Sequence, residues 1–203
     1  MASSLQQNRG NSASFDIPWV QHHPSWLQRL RQILAELFIP ASHRPRIRAA
    51  RKHLRQFSVL AARSDTESRK KLYYQLRSMD PLEFEELVLE CLFRLGNHIR
   101  RNRRYSGDGG LDGQVFLQGA WAPIQCKRYR DTIRPEHVAD FARLLEKRRS
   151  RIGLFVHTGR TGQGSRDHAS AASNQIIFVS GDRLCRLLAQ DRPGVDKSSK
   201  SIG

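Results

Sequence analysis

The chain has 203 residues, 38% of them hydrophobic and 27% charged, and Lys and Arg outnumber Asp and Glu by 35 to 19 for a net charge of +16. That length holds one domain of ordinary size plus an appendage, and a field this positive favours phosphate backbones, through counterion release, over acidic or neutral partners. The best apolar run, Ile33 to Ile39, is short and broken by Glu36, and the N-terminus lacks the basic-then-apolar pattern of a secretory signal, so the expectation is a cytoplasmic protein with no membrane partner.

Residues 1–24 begin with a Ser/Asn/Gln-rich stretch and are expected to be disordered. From Trp26 to Ile39, Leu27, Leu30, Ile33, Leu34, Leu37 and Phe38 recur at helical spacing until Pro40 ends the run. A second helix is expected from Arg46 to Ala62. It carries Ile47, Ala50, Leu54 and Phe57 on one side and Arg48, Arg51, Lys52 and Arg55 on the other. A third is expected from Thr66 to Arg77, after Asp65. Residues 25–78 therefore read as a basic helical extension. A solvated arm packed on the main domain and a DNA-contacting accessory fit this pattern equally well.

Composition changes at Asp80-Pro81, a good N-cap and N1 pair. The helix from Leu82 to Leu95 places Phe84, Leu87, Val88, Cys91, Leu92 and Leu95 along one stripe, and Gly96 stops it. An extended segment, His98 to Arg104, leads into a glycine-rich turn at 106–110. Leu111 to Leu117 then alternates, with Leu111, Gly113, Val115 and Leu117 on one face and Asp112, Gln114 and Phe116 on the other. Gln118-Gly119 joins it to a second strand, Trp121 to Lys127, as a hairpin. A helix over Pro135–Lys147, a strand over Ile152–His157, a small-residue helix over Ser165–Ser173, a strand over Ile176–Val179 and a helix over Gly181–Ala189 follow. The order α-β-β-β-α-β-α-β-α specifies an α/β fold, a central mixed sheet flanked by helices, over residues 79–190. The tail, 191–203, is polar and expected to be flexible. Cys91, Cys126 and Cys185 are odd in number, widely spaced and set among apolar residues, which excludes a disulfide framework and a Cys-rich zinc site.

Hydrolysis of a phosphodiester needs hard oxygen ligands for a metal and a base or cation near the attacking water, all on a rigid frame. A hairpin supplies this compactly. Asp112 leads one strand and Lys127 ends the other. Gln125 and Lys127, two apart, share a face, and Cys126 points to the opposite one. Singly, Asp112 reads as a turn residue, Gln125 as surface polarity and Lys127 as the start of the basic run Lys127-Arg128-Tyr129-Arg130. As a set, following a glycine turn and a helix bearing Glu85 and Glu86, they point to a catalytic site.

Three segments carry a resemblance: Asp80-Pro-Leu-Glu-Phe-Glu-Glu-Leu-Val, Gly107-Asp-Gly-Gly-Leu-Asp-Gly and Ile124-Gln-Cys-Lys-Arg-Tyr. Together with the closing Gly181-Asp-Arg-Leu, they resemble the catalytic domain of Mrr-type restriction endonucleases, a branch of the PD-(D/E)xK nuclease superfamily. The resemblance covers about residues 80–190. It implies a restriction-endonuclease-like core, a DNA substrate and a Mg²⁺ cofactor that Mn²⁺ can replace. At matching positions it implies Asp112 as the acidic metal ligand and Gln125 in the place usually held by Glu or Asp. It implies Lys127 as the residue that orients water and stabilises charge, and Glu85 as the acid completing the site from the first helix. Glu86 is the alternative to Glu85, because the helical phase is uncertain by one residue. Asp108 reads as a turn residue, with binding of a second metal as the alternative. Arg104, Arg128, Arg130 and Arg160 are the expected DNA contacts, and a homodimer would place two sites on two strands.

The segment Gly159-Arg-Thr-Gly-Gln-Gly-Ser165 sits between a strand and a helix but lacks the lysine of a P-loop, which excludes nucleotide binding by that motif. Three readings of function remain: a metal-dependent endonuclease of restriction or defence, a structure-specific repair or junction nuclease, and a non-catalytic DNA-binding module of the same fold. The set Asp112, Gln125 and Lys127 favours a nuclease.

Overall fold

The computed structural model describes residue 30 and residues 43–63, 65–102 and 110–190. The expected disordered N-terminus, nearly all of the Trp26–Ile39 helix, most of the glycine turn with Asp108, Arg104 and the C-terminal tail lie outside the described residues.

Among residues 43–102, three helices come first: α1 (Arg44–Ala62), α2 (Thr66–Ser78) and α3 (Pro81–Arg94). Side chains fix where two of them start. Asp65 accepts from the Ser68 amide, and Asp80 accepts from the amides of Leu82 and Glu83, so each carboxylate satisfies amides that the first helical turn leaves without partners. A short strand β1 (Ile99–Arg101) leads to the hairpin of β2 (Gly113–Leu117) and β3 (Ala120–Lys127). Gln118 and Gly119, both at positive φ, close that hairpin with the tight turn that matches strand twist. Then come α4 (Pro135–Lys147), β4 (Ile152–His157), α5 (Gln163–Ala171), β5 (Gln175–Val179) and α6 (Gly181–Ala189).

The five strands form one sheet in chain order, antiparallel from β1 to β3 and parallel from β3 to β5. One face is covered by α1, α3 and α6. Its core joins Leu54, Phe57, Leu72 and Leu76 of the first two helices to Phe84, Leu87, Val115, Ile124 and Leu154. The apolar stripes of the basic helices are therefore built into this core, and α1 packs directly on α3 and α6. The other face carries α4, with Val138, Phe141 and Leu145 on Phe155.

Three expectations are corrected in detail. β1 is Ile99–Arg101 and leaves out His98 and Asn102 of the extended segment read from His98 to Arg104, whose last two residues lie outside the described residues. The fifth helix starts and ends two residues earlier than read, at Gln163 and Ala171. Leu111 does not share a face with Val115 and Leu117. It packs with the α4-side cluster, because the regular strand starts only at Gly113 and the chain turns over at Asp112.

Candidate active site

The hairpin and α3 meet at the end of the sheet where β2 begins and β3 ends. The Asp112 amide donates to the Ile124 carbonyl at 2.9 Å, and its Oδ2 accepts from the Cys126 amide at 2.6 Å. Both bonds tie the aspartate to the strand that carries Gln125 and Lys127. Cys126 itself points into the α3-side core, as the alternation requires. Burial pushes the Asp112 carboxyl up to about 6, against the opposing pull of the Cys126 amide and the Lys127 ammonium.

Glu85, one turn into α3, faces the same charges. Burial raises its carboxyl to about 8, the Asp112 and Glu86 carboxylates add to the rise, and Lys127 opposes it. Glu86 is directed elsewhere. Its two oxygens are taken by His43 Nδ1 at 2.7 Å and Arg101 Nε at 2.8 Å. Arg101 also reaches Glu90, which Arg51 and Arg94 hold as well. Of two adjacent glutamates, one is thus embedded in a buried ion network binding α1, α3 and β1, and the other shares the field of Asp112 and Lys127.

Gln125 is buried. Its Nε2 donates to the Gly110 carbonyl at 2.8 Å, and its Oε1 has no hydrogen-bond partner. A buried amide oxygen left without a partner costs roughly 1–3 kcal/mol, and such an atom calls for an explanation such as an ion. Among the described residues, no three His, Cys, Asp or Glu side chains gather as a metal cluster. The donor set here is of another kind: two carboxylates and a neutral amide oxygen, all hard ligands of the type that Mg²⁺ takes. The residues present therefore fit a divalent cation.

Of the four arginines expected at DNA, Arg104 lies outside the described residues. Arg130 and Arg160 are exposed. Arg128, also expected at DNA, is half-buried. Its Nη1 donates to the carbonyls of Arg77, at 2.9 Å, and of Met79. The carbonyls at the C-terminal end of α2 attract a cation, so Arg128 serves as a clamp between β3 and the α2–α3 junction. Sequence reasoning missed Arg128's clamp, the Arg101 network and the role of Gly110. Only the last left a signal, its place in a glycine turn ahead of Asp112.

A family model for restriction endonucleases, Mrr catalytic type, matches residues 76–188. The chain belongs to the Mrr-type restriction endonuclease family. The match starts within the last turn of α2 and ends within α6, so it contains the whole sheet and every group of the site. The α/β architecture, a mixed five-stranded sheet flanked by helices, is that of a restriction-endonuclease-like core. Among solved structures, MspJI restriction endonuclease in complex with a 27-mer oligonucleotide is similar at a TM-score of 0.44 and 23% identity, over 62% of this chain and 32% of that one. The chain thus spans about a third of that protein's length. No curated protein matches the chain in sequence. Among the described residues, no helix is long and apolar enough to cross a membrane.

Proposed function

We propose that this Mrr-type chain is a divalent-metal-dependent DNA endonuclease acting in restriction, in the cytoplasm, on foreign or modified DNA. The observation that carries the reading is that Glu85 and Asp112 share a buried field with Lys127, while Gln125, on the strand to which Asp112 is bonded, leaves its Oε1 without a partner. Asp112, Glu85 and Gln125 would hold Mg²⁺, or Mn²⁺ in its place. When bound, such an ion neutralises charge developing on the phosphate and lowers the pKa of coordinated water. Asp112 is held in place for this role by two main-chain bonds, and Gln125 by one. Lys127 orients the attacking water and stabilises the negative charge that builds on the phosphate as the phosphorus–oxygen bond to the leaving group breaks. The amide at 125 carries no charge, so ion binding rests on Asp112 and Glu85 more than in sites with three carboxylates. Arg130 and Arg160 are exposed cations for the DNA backbone, and a homodimer would bring two such sites to the two strands.

The test is cleavage of supercoiled plasmid, methylated and unmethylated, with Mg²⁺ or Mn²⁺, by wild type, Asp112→Ala and Lys127→Ala. Metal-dependent nicking that both substitutions abolish, with DNA binding retained, is the expected result. Binding without cleavage in either metal, identical for all three proteins, would replace the nuclease with a DNA-binding module of the same fold.

A further inference from the structure

A cleft of about 750 Å³ opens between α2 and the loop that follows β3, lined among others by Arg69, Lys70, Tyr73, Tyr74, Arg77 and Arg130. Its volume lies within the roughly 300–1,000 Å³ of sites that enclose small molecules. Four of the lining residues are cationic and one, Asp131, is acidic. The wall is built and fixed. Tyr73 donates its hydroxyl to the Gly181 carbonyl at 3.1 Å, and Arg77 lies 5.3 Å over the Tyr73 ring while donating to the Thr158 carbonyl at 2.9 Å. Arg69 is paired with Asp182. On this wall Tyr74 is 74% exposed, the most exposed of the large hydrophobic side chains among the described residues. Lys70, in loose contact with Glu67 at 4.0 Å, and Arg130 are exposed beside it.

The cleft and the site are linked through the segment that follows β3. Arg130 is three residues beyond Lys127, and Arg128 between them clamps the end of α2 that continues into α3 and Glu85. A duplex would present only phosphates to this surface, since its bases are stacked inside and would leave Tyr74 without a partner. An unpaired strand offers both halves of what the cleft provides: bases for an aromatic face and phosphates for cations.

We propose that this cleft binds one or two unpaired nucleotides of a DNA strand, a base stacked on Tyr74 and the flanking phosphates held by Lys70 and Arg130. Building on the nuclease reading, this makes the preferred substrate a duplex with a single-stranded extension or gap beside the scissile bond.

The test is fluorescence anisotropy of the full chain in EDTA, where no cleavage occurs. It uses labelled oligothymidylate, oligouridylate of equal length and a blunt duplex. Tyr74→Ala is expected to weaken oligothymidylate binding by about five- to 150-fold and leave duplex binding unchanged, with Tyr74→Phe restoring it. Lys70→Ala and Arg130→Ala should each flatten the salt dependence of oligothymidylate binding by about one phosphate contact. The proposal is overturned if Tyr74→Ala leaves oligothymidylate binding unchanged, which would give the cleft to a protein partner. It is also overturned by an equal loss for the duplex, which would make the cleft a duplex backbone surface, or by tighter binding of oligouridylate. Because binding is read without metal, a Tyr74 effect without plasmid cleavage fails only the nuclease reading, and cleavage without a Tyr74 effect fails only this one.

Discussion

Gln125 Nε2 donates to the carbonyl oxygen of Gly110, and that bond decides which end of the amide is left for the site. A carbonyl only accepts, so the nitrogen must face it and Oε1 must face away. Gly110 sits at φ +88°, and a β-carbon there would overlap Gln125 Nε2. Gly110→Ala is therefore expected to displace the amide and lower metal-dependent cleavage by about 10²-fold, the cost of roughly an ångström of misplacement. Stability should fall by only about 1 kcal/mol, from the positive φ. Parallel nicking assays and thermal melts check this. Full activity in a folded Gly110→Ala protein would remove Gln125's positioning role.

Asp112 is costly to the metal-free fold. Its carboxyl stands at about 6 against an ordinary 3.8, because burial disfavours the charged form. A raised carboxyl binds its proton more tightly folded than unfolded, so stability declines as pH rises from about 4 to about 6 and stays reduced above. Asp112→Asn should therefore be more stable than wild type at neutral pH in EDTA, by about 1–3 kcal/mol, while losing cleavage. Urea unfolding of both proteins at neutral pH measures it, and a less stable variant would contradict the assignment of a buried, charged Asp112.

His157 works in the opposite sense. It is fully buried at the end of β4, and burial lowers its pKa from 6.5 to about 4. The unfolded chain thus takes up a proton that the folded one refuses, and stability present above about 6.5 is lost as pH falls toward 4. Relative to His157→Gln, wild type should lose up to about 3 kcal/mol over that window. Other titrations cancel in the difference, so a flat difference between the two proteins would show that His157 is solvated in the fold.

Arg101 stands between Glu86 and Glu90, both almost wholly buried. Removing its charge leaves those carboxylates with fewer partners in the core, so Arg101→Met should cost about 3 kcal/mol. Since Glu86 neighbours Glu85, the same change should loosen the turn of α3 that faces the site and weaken Mg²⁺ binding, read by isothermal titration. Unchanged stability would mean that His43, Arg51 and Arg94 suffice without it.

Much of the fold is local in origin and was legible. The caps at Asp65 and Asp80, the alternation in β2, the Gln118-Gly119 turn and the bounds of α4, β4 and α6 follow from side chains a few residues apart. Strand and helix ends next to loops were less so, as β1 and α5 show, because nothing nearby in sequence distinguishes a last paired residue from the first unpaired one.

The site divides the same way. By itself the sequence determined that Asp112, Gln125 and Lys127 sit at the ends of consecutive strands, since a period of two and a tight turn leave little choice. It could not choose between Glu85 and Glu86, which are separated by only one helical step. The tertiary structure sets the two apart, because His43 and Arg101, from 43 residues before and 15 after, pair with Glu86, while Glu85 lies in the field of Asp112. The clamp made by Arg128, the freed oxygen of Gln125 and the cleft under Tyr74 have the same origin. Each depends on a partner brought close by packing, and packing distance is not written in sequence distance.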